Sequence, residues 1–241
     1  MNNAFLRGIR HGIPIALGYL SVSFTFGMKA VGDGMTPLQA LLISATNLTS
    51  AGQFAGLSLI FGGGTLFETA LTQLVINLRY ALMSLSLSQK LERRVGLIDR
   101  MLFSFMMTDE VFAVASGQKG EVGKRYLFGV MIAPYCGWAL GTLCGAVASG
   151  FLPPSVRSAL SIAIYGMFIA IVVPVAKQSR AVLGVVALAV ALSCAMHWLP
   201  VLNTVSSGFS IILCTVLAAG LGALAAPVPD EPSGAPDGEV A

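Results

Sequence analysis

Residues 38–60 read LQALLISATNLTSAGQFAGLSLI, a run of 23 residues without one charge. A helix needs about 20 mainly apolar residues to cross the ~30 Å hydrocarbon core of a bilayer, so this run is long enough to span. Yet its middle is studded with Ser44, Thr46, Asn47, Thr49, Ser50, Gly52 and Gln53. Broken, polar backbone is tolerated at membrane depth where it lines a cavity or is buried in protein, not where it faces lipid. The run therefore reads in two ways: as a full crossing, or as a segment that dips in and returns.

Comparable runs cover roughly 12–31, 66–88, 126–149, 157–176, 181–199 and 204–225, and a shorter one, 101–117, contains Asp109 and Glu110. Turn formers stand between them: Gly32-Asp33-Gly34 before Pro37, Gly62-Gly63-Gly64, Pro153-Pro154 and Pro200. Composition agrees, with 56% apolar residues, 10% charged and a mean hydropathy of +0.82. A soluble domain carries about a quarter charged residues. Here 14 Lys and Arg with 11 Asp and Glu cannot cover a soluble surface, and a net charge of +3 is too small for a nucleic-acid binder. The expected fold is all-α: a polytopic helical membrane protein with six to eight membrane segments, broken or re-entrant helices among them. Residues 1–225 form its membrane domain. The acidic, Pro- and Gly-rich stretch 226–241 is expected to be a disordered tail. The N-terminal run, interrupted by Gly12, Pro14 and Gly18 and followed by no A-x-A site, reads as a retained first span.

Lys and Arg mark cytoplasmic loops. Arg7 and Arg10 place the N-terminus inside, Lys119, Lys124 and Arg125 place the loop before 126 inside, and Lys177 with Arg180 do the same after 176. The remaining runs return the C-terminus inside. The loop with Lys90, Arg93, Arg94 and Arg100 conflicts with this if 38–60 crosses fully. Eight crossings violate the rule at that loop; six crossings, with 38–60 and 101–117 returning on their own sides, obey it. A short internal echo superposes Gly12-x-x-Ile15-Ala16 on Gly129-x-x-Ile132-Ala133 and Pro37 on Pro154. Composition this rich in Gly, Ala and Ile also produces such matches by chance.

Ionisable or strongly polar groups at membrane depth are costly, so each is a candidate for function. Ser44, Asn47, Ser50 and Gln53, spaced by threes, would share one helical stripe. A helix break at Gly52 beside them would expose N–H groups able to receive a carboxylate. Asn77 and Arg79 lie well inside run 66–88, and Arg79 calls for a carboxylate from the protein or a substrate. The adjacent Asp109 and Glu110 suit a proton carrier or an anchor for an ammonium group. Small polar residues also glue helices together, and Arg79 with Asp109–Glu110 also reads as a structural ion pair. His197, beside Trp198 at a span end, and Glu68 read as boundary residues. Cys136, Cys144, Cys194 and Cys214 lack the spacing of a metal site, and no phosphate loop, HExxH or GxSxG motif occurs. Neither an enzyme nor a cofactor nor a metal is expected.

Gly12-Ile-Pro-Ile-Ala-Leu-Gly18, Ala51-Gly52-Gln53-Phe54, Asn77-Leu78-Arg79, Asp109-Glu110 and Gly137-Trp138 with Gly141-Thr142 and Gly145 occur in this order. In order and rough spacing they resemble the AzlC family, the large subunits of bacterial branched-chain amino acid exporters. The resemblance covers about 10–225. It implies an inner-membrane permease that exports leucine, isoleucine, valine and sometimes methionine beside a small membrane subunit of the AzlD type. One departure stands at Ser158-Ala-Leu-Ser-Ile-Ala-Ile-Tyr-Gly166, where the family pattern has Gly-Leu-Asp-Phe. On this reading Ser44, Asn47, Ser50, Gly52, Gln53, Asn77 and Arg79 bind the substrate, and Asp109 and Glu110 couple transport to protons. The rival reading is a scaffold subunit that does not transport and stabilises a partner. Buried polar groups left without mutual partners favour transport, and complete pairing favours the scaffold.

Overall fold

The computed structural model of the chain describes residues 3–153, 172–200 and 204–227, together with 155, 162, 166, 169 and 202. Two long helices form its spine. The first, α1 (Asn3–Gly32), begins well before the expected run and carries Arg7 and Arg10 in its early turns. After α2 (Pro37–Thr46), α3 (Ala51–Phe61), α4 (Leu66–Ser88), α5 (Leu97–Phe105) and α6 (Asp109–Ser116) comes the second, α7 (Lys124–Ala148).

Glycine brings these two helices together. A Cβ placed on Gly12, Gly137 or Gly141 would stand 2.6, 2.7 and 2.6 Å from the carbonyl oxygens of Val130, Ala16 and Leu20. Gly8, Gly27, Gly129 and Gly145 meet the carbonyls of Tyr126, Thr142, Phe5 and Phe24 in the same way. Only a residue without a side chain permits such an approach, the small-residue packing that holds helices together where lipid offers no hydrophobic drive. The partners climb together along both chains, so α1 and α7 run parallel and start at the same end of the bundle.

The segments between them explain how the chain gets back to that end. Thr36 opens α2 with a full capping box: its hydroxyl accepts from Gln39 N at 3.2 Å, while its own N–H donates to Gln39 Oε1 at 2.8 Å. Helix α2 then stops at Asn47, and α3 begins at Ala51 after Ser50, a non-glycine residue at φ 47°. Phe61, at the end of α3, returns beside Gly34 at the end of α1. The run 38–60 is thus a re-entrant hairpin. The run 101–117 behaves alike from the opposite end: Lys90 Nζ donates to the Ser116 carbonyl, Leu91 forms an isolated parallel bridge with Val122, and Arg100 Nη1 donates to Ser88 O at 3.2 Å. Phe103, Met106, Met107, Val111 and Ala115 bury this second hairpin against Leu127, Val130 and Met131 of α7.

This settles the choice between the two arrangements in favour of returning hairpins. The loop that carries Lys90, Arg93, Arg94 and Arg100 stands at the same end as Arg7 and the 117–125 loop, since Arg7, Arg94, Lys119 and Arg125 line one cavity. Five described helices are long and apolar enough to cross a membrane: Ala4–Gly32, Leu66–Ser88, Lys124–Ala148, Arg180–Trp198 (α8) and Ser207–Ala225 (α9). The expected crossing at 157–176 falls mostly outside the described residues, and so do Pro154 of the echo, most of Ser158–Gly166 and the tail beyond 227. Glu68, read above as a boundary residue, has a structural task. It is 4% exposed, and its Oε1 accepts from Ser206 Oγ at 2.5 Å and Gly208 N at 2.9 Å, which caps the positive end of α9 with a carboxylate.

Two outcomes follow from this packing. Cysteines introduced singly at Arg94 and Lys119 will react with an impermeant thiol reagent from one side of the membrane, and one at Gly63 from the other. Gly141→Val, which forces a side chain into the α1 backbone, will lower stability by about 1–3 kcal/mol, read as a fall in the thermal midpoint in detergent.

Candidate functional site

The tips of the two hairpins border one cavity between α1, α4 and α7. Breaking a helix inside a bundle strands carbonyls at its C-terminal end, and three side chains of α4 and α7 bond to backbone carbonyls around the break of the first hairpin. Tyr135 Oη donates to Ala45 O at 2.9 Å, Tyr80 Oη to Thr49 O at 3.3 Å, and Gln73 Nε2 to Gly52 O at 2.7 Å. At the second tip, Thr108 caps α6 by accepting from Val111 N at 3.3 Å. Asp109 and Glu110 follow as the first two helical residues, where the helix dipole favours negative charge.

These two neighbours diverge, as adjacent positions on a helix must. Asp109 Oδ2 receives Arg79 Nη1 at 2.5 Å, and Arg79 also donates to Tyr80 Oη at 2.9 Å while lying over the Tyr80 ring. Glu110 Oε2 accepts from the Tyr19 hydroxyl of α1. The Arg79 and Asp109 side chains are 45% and 47% exposed although they sit within the bundle, because both open onto a cavity of about 530 Å³. That volume is typical of a small-molecule pocket. Ser50, Arg79, Tyr80, Thr108, Asp109 and Glu110 give it a polar floor, while Ile15, Val22, Leu48, Ile76, Trp138 and Val172 give it apolar walls. The N-terminal ends of α3 and α6 both border it.

Of the candidate residues, Ser50, Arg79, Asp109 and Glu110 line this cavity. The others do not. Ser44, Asn47, Ser50 and Gln53 do not share one stripe, because the helix breaks at 47–50 and not at Gly52. Ser44 Oγ instead pairs with Thr142 Oγ1 of α7 at 2.7 Å and accepts from Gln53 Nε2 at 3.0 Å, all three being buried. Asn47 accepts from Thr49 Oγ1 at 2.8 Å, and Asn77 Nδ2 donates to Gln73 Oε1 at 2.9 Å beside Gly52. Ser44 with Gln53 thus ties the first hairpin to α7 and the Gly52 carbonyl ties it to Gln73 of α4, whereas Asn47 bonds within the break and Asn77 within α4. Tyr19, Thr108 and Trp138 line the cavity but were not singled out by their polarity: an aromatic or a threonine in an apolar run is ordinary there. Trp138 is 2% exposed, packs edge-on to Tyr19 at 5.3 Å, and its indole N–H has no partner among the described residues. Gln53 Oε1, Thr72 Oγ1 and Asn77 Oδ1 are likewise buried without a partner.

The description AzlC protein fits residues 14–152, the part that holds the α1–α7 pair and both hairpins. The chain belongs to the AzlC family. It is 32% identical over 172 residues to an uncharacterized membrane protein of Archaeoglobus fulgidus, covering 70% of this chain and 75% of that one. It is 30% identical over 171 residues to the inner membrane protein YgaZ of Escherichia coli (strain K12), covering 68% and 70%. An uncharacterized membrane protein of Helicobacter pylori is 27% identical over 147 residues, covering 60% and 64%. No solved structure matches. Like these relatives, this is a membrane protein, and its several apolar helices make it a multi-pass one.

Removing the Ser44 hydroxyl tests what holds the first hairpin. Ser44→Ala leaves Gln53 Nε2 and Thr142 Oγ1 buried without their partner, and is expected to cost about 1–2 kcal/mol, measured by thermal unfolding in detergent. An unchanged midpoint would show that this cluster does not anchor the hairpin.

Proposed function

We propose that this AzlC-family chain is the permease subunit of an exporter for branched-chain or similar small apolar amino acids, driven by the proton gradient. The carrying observation is the cavity itself, which sets an arginine and two carboxylates on one floor beneath apolar walls. An amino-acid zwitterion is complementary to that arrangement. Its carboxylate would take Arg79 together with the N-terminal end of α3, its ammonium would take Asp109 and Glu110, and its side chain would rest on Ile15, Val22, Leu48 and Ile76. Binding in this way exchanges the internal Arg79–Asp109 pair for two pairs with the cargo, so the desolvation of the charges is not wasted.

Protons enter the same exchange. A proton on Asp109 or Glu110 cancels the charge that holds the ammonium, so protonation from outside releases the cargo outward and deprotonation toward the cytoplasm restores the site. In this cycle Asp109 is charged when it holds the cargo or, in the empty site open to the cytoplasm, Arg79, and the emptied site returns inward protonated. The basic end of the bundle, with Arg7, Arg94 and Lys119, faces the cytoplasm under the positive-inside rule, and both termini with it. A small AzlD-type membrane subunit is the expected partner. Trp138 Nε1, buried beside the cavity without a partner among the described residues, favours transport over a scaffold role, in which such a group would be paired.

Efflux of labelled leucine from loaded cells that express the chain with its small neighbour is the test. Wild type is expected to accelerate efflux. Arg79→Gln, and Asp109→Asn with Glu110→Gln, should each reduce it at least tenfold. Unchanged efflux in the double variant would remove the coupling role, and no efflux from wild type would remove the amino-acid reading.

A further inference from the structure

A second cavity stands apart from the one between the hairpin tips. It lies at the end of the bundle where α1 and α7 begin, has a volume of about 730 Å³, and gathers Arg7, Arg94, Lys119, Lys124, Arg125 and Tyr126 from three separate segments. Against these five cations it holds two carboxylates, Glu92 and Glu121. Glu92 is turned toward the backbone: a Cβ on Gly123 would stand 2.6 Å from its carboxylate. Lys124 reaches Asp99 at 3.5 Å, and Arg7 lies over the Tyr126 ring at 5.3 Å, whereas Arg94 and Lys119 form no ion pair among the described residues. The cavity therefore keeps a net positive charge with two cations uncommitted.

A second observation points the same way. Helix α7 opens at Gly123 with no side-chain cap and no acid in its first turn, but with Lys124 and Arg125 there. Cations at a helix N-terminus oppose the dipole, and its first N–H groups lack a partner from a capping side chain. An anion in the cavity relieves both. The cavity also stands at the mouths of two membrane-spanning helices, beside an apolar flank: Leu97 and Ile98, each 74% exposed, follow the lining residue Val95 in the chain.

We propose that this cavity binds the phosphate headgroup of an anionic membrane lipid, with Arg94 and Lys119 as its principal contacts and the acyl chains passing over Leu97 and Ile98. Basic pockets between membrane helices take such headgroups. The site is separate from the cavity at the hairpin tips, and it ties the loop after α4 and the loop before α7 to the head of α1.

Native mass spectrometry of the purified chain from micelles with equimolar phosphatidylglycerol and phosphatidylcholine reads the proposal directly. Wild type is expected to retain phosphatidylglycerol at least fivefold over phosphatidylcholine. The exposed double variant Arg94→Gln with Lys119→Gln should lose about tenfold in that retention, since each surface cation contributes on the order of a fewfold to tenfold. Arg93→Gln, in the same loop but outside the cavity, should retain it. The proposal is overturned by equal retention of the two lipids, by a double variant that keeps the preference, or by an Arg93 variant that loses as much. Displacement of the lipid by inorganic phosphate at equal concentration would also overturn it, in favour of a soluble anion.

Discussion

Inside a bilayer a backbone amide that leaves a helix has no water to turn to, so every broken carbonyl must find its partner within the protein. This constraint governs the whole arrangement. Two hairpins interrupt their helices at mid-depth, and the chain meets the cost with side chains placed on the surrounding helices. Tyr135 of α7 answers the Ala45 carbonyl left at the end of α2, and Tyr80 and Gln73 of α4 add bonds to the carbonyls of Thr49 and Gly52. The hairpins can therefore exist only where α4 and α7 stand, and α7 stands where it does because glycine lets it lie against the backbone of α1. The cavity is what remains between the two tips.

That hierarchy also separates stabilising polarity from available polarity. Glu68 and Asp109 are both carboxylates within apolar segments. Glu68 is enclosed, spends its oxygen on Ser206 and Gly208, and fastens α9 to α4. Asp109 is almost half exposed to a cavity and holds an arginine that is equally exposed. An ion pair left open in this way gains less from burial than an enclosed one and is more easily exchanged for another charge. Ser44, Gln53 and Thr142 follow the pattern of Glu68, since they are closed into a small network that packs α2 and α3 on α7.

The crossings were legible because length and hydropathy decide them, and α4, α8 and α9 lie where the apolar runs placed them. The hairpins were legible only as one of two readings. Polar density marked 38–60 as unusual, but whether it crosses depends on where Phe61 comes to rest, a contact with Gly34 that no local pattern encodes. Polarity also named more of the candidate site than borders the cavity. Ser44 and Ser50 look alike in sequence, yet a break at 47–50 sends one into packing and the other onto the cavity floor. Conversely, Tyr19 carries no signal that distinguishes it from a core aromatic, and Trp138 stands out only through the Gly137-Trp138 motif and not through its polarity, because what matters is the element each faces.

The parallel course of α1 and α7 has a mechanical consequence. Their contact is backbone on backbone, so neither helix can slide or roll on the other without driving a carbonyl into a glycine Cα. The hairpins are fastened differently, by side-chain packing such as Phe103 and Val111 against α7 and Ala40 and Leu57 against α1, and at their tips by side-chain hydrogen bonds and the pairs Arg79–Asp109 and Tyr19–Glu110. On the proposed cycle, a ligand or a proton at Asp109 would act directly on the bond that holds the tip of α6 to α4, while the α1–α7 pair keeps its place.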